Sequence, residues 1–472
     1  MRTYDVIVIG AGSTGENVAD RAVRGGLTAC LVENELVGGE CSYWACMPSK
    51  ALLRGPEAVA AAKAVDGAKQ SVTGTVDAAA TLARRTKFTS DWNDESQVKW
   101  AVSRSIDVIR GRGRLTGERT VRVTGRDGSV NDLTATHAVV ICTGSTASLP
   151  PIPGLAQARP WTSREATSAK QVPTSLAIIG GGVAGCELAT AWRALGAEVT
   201  LLHIHERLLT ANEPFAGELV ANALRESGVD VRTGVSISEV RRDGDGPTTV
   251  VTDDGEITAE VLLVAAGRRA GTDDVGLEAI GVEAGSWLDV DDTCRVSAVD
   301  SGWLYAAGDV NHRALLTHMG KYQARACGEA IVARSRGEQI SGEAWSPYAA
   351  TADHCAVPGV VFTEPQVASV GRTEQRARED GVRVRAVEYD LAALAGSALY
   401  ADGYIGRAKI VVDEDRRVIV GATFVGPGVG ELLHSATVAV VGEVPMDRLW
   451  HAVPSYPTIS EIWLRLLETY GL

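Results

Sequence analysis

The stretch that decides the fold is "YDVIVIGAGSTGENVADRAVRGGLTACLVEN", residues 4–34. Its apolar run at residues 6–9 predicts a buried parallel strand. A second predicted strand, at residues 28–32, ends at Glu33, whose carboxylate can bind a ribose hydroxyl. Between the strands, three glycines in a G-x-G-x-x-G pattern open a helix and let a pyrophosphate approach its N-terminus. They are Gly10, Gly12 and Gly15. The stretch therefore predicts a dinucleotide-binding βαβ unit.

The same unit returns in "TSLAIIGGGVAGCELATAWRALGAEVTLLHIHERLL", residues 174–209. After the apolar run, the fingerprint is repeated by Gly180, Gly182 and Gly185. The spacing of the first unit, 33 − 15 = 18 residues, leads here to His203 and not to an acid. Two units imply two dinucleotides, and the second lacks the carboxylate expected for NAD. Because His203, His205 and Arg207 can donate to a 2′-phosphate, we expect NADPH to be preferred over NADH.

Composition narrows the class of protein. The 472 residues suggest about three domains. The 46 Lys and Arg against 59 Asp and Glu give a net charge of −13, which argues against binding to nucleic acid. The chain enters a strand at once and shows neither a secretory signal nor an apolar run of about 18 residues, so we expect a cytoplasmic protein without a membrane partner.

Two of the eight cysteines stand close together, in "GGECSYWACMPSK" at residues 38–50. They are Cys41 and Cys46. The other six are isolated, and we expect them to be small buried apolar residues. A structural disulfide is disfavoured in a reducing compartment. Half of a zinc site would need a second Cys or His pair, which the sequence lacks.

Further glycine turns follow predicted strands. "AVVICTGSTASLPPIPG" is a strand and turn with Thr143 and Gly144, followed by a proline-rich boundary near Pro150. "VLLVAAGRRAG" ends in a similar turn at Gly267, and "GWLYAAGDV" places Asp309 directly after a strand. From about Ser346 the segments become short and β-rich, with a helical tail. The predicted fold class is α/β, with two Rossmann-type dinucleotide-binding domains and a C-terminal α+β domain.

These motifs, in this order and over nearly the whole chain, resemble the FAD-dependent pyridine nucleotide–disulfide oxidoreductases. That group contains lipoamide dehydrogenase, glutathione reductase and mercuric reductase. The resemblance implies FAD and NAD(P)H as cofactors and a homodimer. It implies a first part of the FAD-binding domain at 1–150, an NAD(P)-binding domain at 151–270, a second FAD-binding part at 271–345 and a dimerisation domain at 346–472.

The resemblance also implies roles for single residues. Cys41 and Cys46 form a redox-active disulfide, with Cys46 facing the flavin and Cys41 meeting the substrate. Lys50 lies beside the flavin N5 and pairs with Glu187. The other candidate cofactor-binding residues are Gly10, Gly12, Gly15, Glu33, Gly113, Thr143, Gly144, Gly180, Gly182, Gly185, His203, Arg207, Gly267 and Asp309.

The closing motif departs from the family pattern, which is His-Pro-Thr with a Glu five residues after the His. Here "SYPTISE" has Tyr456 at the His position and Glu461 at the Glu position. A free His titrates near pH 6.5 and a Tyr near 10, so we expect Tyr456 to be a neutral hydrogen-bond donor and not a general base. A second interpretation makes Tyr456 an aromatic of the dimer interface only. Mercuric reductases also carry Tyr here, but they add a C-terminal cysteine pair that the tail "ETYGL" lacks.

The predicted activity is transfer of electrons from NAD(P)H through flavin and the cysteine pair to a small acceptor, such as a disulfide, a metal ion or a thioether. One alternative is direct reduction of a quinone or a metal ion by the flavin. Another is a lipoamide-dehydrogenase-like subunit of a larger assembly. Tyr43 and Trp44, between the cysteines, either line a pocket for a flat substrate or pack against the flavin domain.

Overall fold

The computed structural model describes residues 2–472. In this part of the chain the α-helices are α1 (Ser13–Arg24), α2 (Gly39–Tyr43), α3 (Cys46–Lys63), α4 (Ala78–Phe88), α5 (Glu95–Ser103), α6 (Ser163–Ser168), α7 (Val183–Ala194), α8 (Pro214–Glu226), α9 (Thr317–Ser335), α10 (Ala352–Cys355), α11 (Glu374–Glu379), α12 (Ala395–Tyr400), α13 (Leu433–Val441), α14 (Met446–Leu449) and α15 (Ile462–Tyr470).

The strands are β1 (Arg2–Ile9), β2 (Ala29–Glu33), β3 (Ile106–Arg110), β4 (Arg112–Gly117), β5 (Thr120–Thr124), β6 (Val130–Ile141), β7 (Ser145–Ala147), β8 (Ser175–Ile179), β9 (Glu198–His203), β10 (Asp230–Thr233), β11 (Ile237–Arg242), β12 (Thr248–Thr252), β13 (Gly255–Ala259), β14 (Val261–Val264), β15 (Arg268–Ala270), β16 (Leu304–Ala306), β17 (Pro358–Val361), β18 (Gln366–Gly371), β19 (Val384–Asp390), β20 (Arg407–Asp413) and β21 (Val418–Gly426).

The chain divides into two units, and the first combines the segment ending at Pro48 with residues 86–148 and 268–354. Its main sheet has the parallel order β3-β2-β1-β6-β16, and β5 and β4 extend it through antiparallel pairing with β6. Each face of this sheet covers an apolar core, and one of these cores packs against α1 and α9. The parallel strands and α1 form a Rossmann half, as the first fingerprint predicts.

The second unit contains residues 49–85, 149–267 and 355–472. A parallel sheet of order β10-β9-β8-β14 carries the second fingerprint, and the antiparallel strands β11-β12-β13 form a separate sheet. The C-terminal part is an antiparallel sheet of order β17-β18-β21-β20-β19, accompanied by α11 to α15. The predicted α/β class with a C-terminal α+β region is confirmed. The division into four segments stays a prediction.

The alanine-rich composition of residues 58–80 suggests helices, and the stretch contains the end of α3 at Lys63 and the start of α4 at Ala78. Gly67 and Gly74 lie in the gap, and Gly67 has a φ of 95° that a helix cannot use. Of the six isolated cysteines, five are buried and Cys355 is only partly buried. No helix within residues 2–472 is long and apolar enough to cross a bilayer.

Candidate active site

The first glycine loop is shaped for close approach. Gly10 has a φ of 99°, which favours glycine, and a Cβ at Gly15 would lie 2.0 Å from the Gly10 carbonyl oxygen. The loop can therefore press α1 against the end of β1 only with glycines at these positions. Gly12 caps α1 without any side-chain hydrogen bond, so the first amides of the helix stay available to an anion.

Glu33 ends β2 and holds this loop. Its Oε2 accepts a 2.7 Å hydrogen bond from the Ala11 amide, and its Oε1 accepts one of 2.7 Å from the Glu35 amide. Burial raises the pKa of Glu33, although both amide bonds oppose the shift. Each carboxylate oxygen keeps a second lone pair with which it can accept a hydroxyl of a ribose.

Glu16, in the first turn of α1, was missed by the sequence analysis. Burial raises the pKa of this carboxyl to about 7, and its Oε1 is buried without a hydrogen-bond partner among residues 2–472. Thr143, after β6, has a buried hydroxyl that also lacks a partner in this part of the chain. Unpartnered buried polar atoms beside the glycine loop are what a polar cofactor would satisfy.

Asp309 follows β16 and joins a polar cluster. The Ser145 hydroxyl donates to Asp309 Oδ2 over 2.6 Å, and Arg268 Nε lies 2.5 Å from that hydroxyl and 3.8 Å from Asp309 Oδ2. The carboxylate is thus held at the exit of the strand, where a ribityl or ribose hydroxyl can reach it. The open N-terminus of α1, Glu33 and the unpartnered Glu16 and Thr143 atoms together fit FAD.

Three other predicted glycines occupy different environments. Gly113 lies in β4, where a Cβ would come within 2.9 Å of Val32, so close packing alone accounts for a glycine there. Gly144 and Gly267 both have positive φ, and a Cβ at either would meet open space. Their cofactor roles stay predictions.

The two close cysteines lie in the first unit on successive helices, Cys41 in α2 and Cys46 at the start of α3. Both are thiols. A side-chain hydrogen bond to Cys46, followed by burial, raises the pKa of the Cys41 thiol well above its usual range, while Thr317 and Lys321 oppose this shift. Cys41 therefore keeps its proton and shares it with Cys46.

Thr317 is a second residue that the sequence analysis missed. It begins α9, and its Oγ1 lies 3.2 Å from Cys46 Sγ. The two residues are 271 positions apart in the chain, and no local motif signals the contact. A hydroxyl here can donate to a thiolate at Cys46.

Tyr43, between the cysteines, is 1% exposed and donates to the Val37 carbonyl over 3.1 Å. Its ring packs edge-on against Trp44, with 5.7 Å between the ring centroids. For Tyr43 the packing interpretation holds, because a buried ring cannot line a pocket for substrate.

Lys50 and Glu187 form an ion pair in the second unit, with 2.6 Å between Lys50 Nζ and Glu187 Oε2. The Glu187 side chain is 4% exposed, and its Oε1 accepts a 3.0 Å hydrogen bond from the Phe362 amide. The Phe362 ring lies 4.8 Å from Lys50 Nζ. Both carboxylate oxygens are used, so the position of the ammonium is well defined.

The second glycine loop repeats the geometry of the first. Gly180 has a φ of 119°, and a Cβ at Gly185 would lie 1.8 Å from the Gly180 carbonyl oxygen. Gly182 caps α7 without a side-chain hydrogen bond. This loop therefore also leaves helix amides available to a dinucleotide.

His203 ends β9 and accepts a 3.1 Å hydrogen bond from the Gly181 amide at its Nδ1. Burial, with a smaller contribution from His205, lowers the pKa of His203. The imidazole is therefore neutral with its proton on Nε2, an atom that is buried without a partner among the described residues. Arg207 follows in the same loop and is partly buried. This donor set, with the open end of α7, fits a dinucleotide.

Tyr456 and Glu461 differ sharply in exposure. Tyr456 is 75% exposed, whereas Glu461 is 6% exposed and its Oε2 has no hydrogen-bond partner within residues 2–472. A Cβ at Gly396 would lie 2.1 Å from the Thr458 carbonyl carbon, so α12 packs directly onto this turn. The motif thus exposes Tyr456 to solvent and buries Glu461 Oε2, an acceptor without a partner among the described residues.

Comparisons with known proteins agree with this geometry. The profile of the "Pyridine nucleotide-disulphide oxidoreductase" family matches residues 4–335, and that of its dimerisation domain matches residues 357–466. The dimerisation domain supports a homodimer.

Relatives cover nearly the whole chain. Dihydrolipoyl dehydrogenase of Chlamydia pneumoniae is 31% identical over 98% of this chain and 95% of its own, and mercuric reductase of Staphylococcus aureus is 30% identical over 97% and 81%. Similar solved structures are LpdA of Mycobacterium tuberculosis (TM-score 0.82, 23% identity, 100% of each chain) and the HOCl-induced flavoprotein disulfide reductase RclA of Escherichia coli (TM-score 0.81, 23% identity, 98% and 99%). The chain therefore belongs to the pyridine nucleotide–disulphide oxidoreductases, flavin-dependent enzymes that use FAD and NAD(P)H.

Proposed function

We propose that this protein reduces a small acceptor with electrons from NAD(P)H, delivered through the Cys41–Cys46 pair. The observation that carries the proposal is that both thiols are free and lie on successive helices, close enough for Cys46 to raise the pKa of Cys41. Such a pair of thiols can close into a disulfide. When bound, FAD supplies the two-electron chemistry that links a nicotinamide to a disulfide.

We assign a separate role to each of three residues, Cys46, Cys41 and Lys50. Cys46, at the start of α3 with the Thr317 hydroxyl 3.2 Å away, is the thiol whose anion the site supports. Cys41, which keeps its proton, is the thiol that meets the acceptor and must lose that proton to attack it. Lys50, fixed by Glu187, is the residue that would supply positive charge to a bound flavin, as the resemblance implies.

The identity of Tyr456 restricts the acceptor. A disulfide acceptor needs a group that moves a proton at the Cys41 thiol near pH 7, and a tyrosine hydroxyl is a poor base at that pH. We therefore propose that lipoamide and glutathione disulfide are turned over slowly. A soft metal ion is favoured, because its binding to the two sulfurs releases the Cys41 proton to solvent and needs no positioned base. The mercuric reductase relative supports this second candidate, although the tail of this chain lacks a cysteine pair.

We also propose NADPH as the preferred coenzyme. His203 brings no negative charge to the position where a carboxylate would repel a 2′-phosphate, and its Nε2–H can donate. Exposed apolar side chains near the closing motif, Trp450, Val453 and Tyr456, support a homodimer in which this motif completes the partner's active site. A cytoplasmic location remains part of the proposal.

A panel of acceptors tests the function. Purified yellow holoenzyme is assayed with NADH or NADPH against lipoamide, glutathione disulfide, a small aromatic disulfide, Hg²⁺, Cu²⁺ and a benzoquinone. We expect Cys41→Ser and Cys46→Ser to abolish reduction of the native acceptor class, whereas the control Cys355→Ser, outside the pair, retains it.

Three outcomes would contradict the proposal. Full activity of both active-site variants toward a quinone would make the flavin the direct reductant. Colourless protein that takes up no FAD would remove the flavin chemistry altogether. Stable co-purification with partner enzymes, together with lipoamide as the best acceptor, would favour the assembly-subunit alternative.

A further inference from the structure

A buried polar chain extends from the turn that carries Asp309. The amide of Gly308 donates to Gln323 Oε1 over 2.8 Å, and Asn311 Nδ2 donates to the same oxygen over 2.8 Å. Gln323, in α9, is 0% exposed. One side chain of the long helix thus clamps both ends of the turn at residues 308–311.

Gln323 is in turn held from its other side. Its Nε2 donates to Asp353 Oδ2 over 2.9 Å, and this bond fixes which way the amide faces. The Asp353 side chain is 1% exposed, and Arg313 Nη1 lies 3.7 Å from its Oδ2. The buried Asp353 carboxylate therefore serves to orient the amide group of Gln323.

The turn itself has no freedom to shift toward α1. Gly308 has a φ of 83°, and a Cβ there would lie 2.7 Å from Thr14 Oγ1. A displacement of the turn would therefore move Asp309 and its bond to Ser145, which is 2.6 Å long.

We propose that Gln323 and Asp353 are positioning residues that hold the Asp309 turn in the geometry the flavin cofactor requires. This inference rests on the proposed role of Asp309 in cofactor binding. Neither residue touches that site directly, so both act through the turn.

The charges around Asp353 give the chain of contacts a pH dependence. Arg313, Gln323 and the adjacent His354 face Asp353, and Asp292 binds Arg313 over 2.9 Å and His354 over 2.7 Å. Burial raises the pKa of Asp353 to about 6. The ionised carboxylate makes the stronger, charge-assisted hydrogen bond to Gln323. The Asp353–Gln323 hydrogen bond therefore weakens as the pH falls through about 6 and Asp353 gains a proton.

The test exchanges the two polar groups in the holoenzyme. Gln323→Glu keeps an acceptor for the turn but sets a second carboxylate against Asp353. Asp353→Asn keeps the shape and removes the charge. The double variant reverses the polarity of the bond and restores it. Asp300→Asn, at an exposed carboxylate of the same unit, is the control. The rate of FAD release after dilution is followed by flavin fluorescence between pH 5 and 8, with thermal unfolding in parallel.

We expect release from Gln323→Glu to be about tenfold faster than from wild type and release from Asp353→Asn to be about fivefold faster, with the double variant close to wild type. Wild type and the control should release FAD faster below about pH 6, and Asp353→Asn should lose this step.

The inference would be overturned if the effects of the two single variants on the rate of FAD release simply add in the double variant. It would also be overturned if the variants lower the unfolding temperature without changing the pH profile of FAD release. Either result would leave the proposed function intact. If Gln323→Glu does not fold, the pH profile of Asp353→Asn decides. A wild type that binds no FAD would overturn both.

Discussion

Replacing Tyr456 by histidine should raise the disulfide reductase activity of this enzyme. The structure favours the change because Glu461, five residues along, is buried and its Oε2 has no partner in the described chain. We expect an imidazole at position 456 to donate to this oxygen, as the spacing of the family pattern implies, and a hydrogen bond contributes about 0.5–1.5 kcal/mol. That is enough to orient a ring whose position is otherwise exposed.

The magnitude follows from two terms. General-base catalysis is typically worth about 10²–10⁴-fold, which sets the ceiling. The side chain at this position is 75% exposed in the single chain, so the ring samples other orientations and only part of the ceiling is reached. We expect kcat/KM for lipoamide or a small aromatic disulfide to rise by about 10–100-fold in Tyr456→His.

The assay compares wild type, Tyr456→His, Tyr456→Phe and the double variant Tyr456→His/Glu461→Gln at pH 6 to 9. The gain should appear only in Tyr456→His, with an acidic limb that reports the imidazole, and it should fall in the double variant. Strong disulfide reduction by wild type that is lost in both single variants would show that the tyrosine itself has a positive catalytic role and refute this reasoning.

Three further predictions concern the titratable side chains Lys409, His203 and Glu16. Lys409→Met should destabilise the second unit by about 3–5 kcal/mol, because buried Glu213 would lose its partner at 2.9 Å, and guanidinium unfolding against the control Lys69→Met measures this. His203→Glu should shift the ratio of kcat/KM values toward NADH by at least about tenfold, since it adds a carboxylate without removing the bond to the loop; an unchanged ratio would disprove the argument. Burial raises the folded-state pKa of Glu16 from 4.5 to about 7, so its ionisation disfavours the fold as pH rises through that window. Relative to wild type, Glu16→Gln should therefore gain thermal stability at pH 8 and not at pH 4, and parallel melting curves at both pH values would contradict this.

The local parts of the fold were predictable from sequence. The strand at 6–9, the helix that the glycine fingerprint opens and the final helix all occur, as β1, α1 and α15. Each rests on a short-range pattern, either apolar periodicity or glycine spacing, that acts within one or two elements. The alanine-rich stretch at 58–80 indicates helices but not where each one ends, and the structure ends α3 at Lys63 and begins α4 at Ala78.

The site was predictable only where a motif marks it. Cys41, Cys46 and Glu33 stand in such motifs, whereas Thr317, Gln323 and Glu16 do not. Their importance depends on which atoms are buried and which distant element satisfies them, as with the 3.2 Å contact between Thr317 and Cys46. Long-range pairing and unpartnered burial have no signature in the neighbouring residues.

The acidic residue of such a fingerprint usually has two roles: it accepts a hydrogen bond from the glycine loop, and it places negative charge at the ribose. The two fingerprints of this chain separate these roles. In the first unit Glu33 accepts the Ala11 amide over 2.7 Å, and in the second His203 accepts the equivalent Gly181 amide over 3.1 Å. The glycine loop has a side-chain acceptor in either case, a carboxylate oxygen in the first unit and a neutral imidazole nitrogen in the second. What His203 does not supply is negative charge at the ribose position. We therefore expect the coenzyme preference of the second site to depend on the missing negative charge and not on the hydrogen bond, which both loops retain.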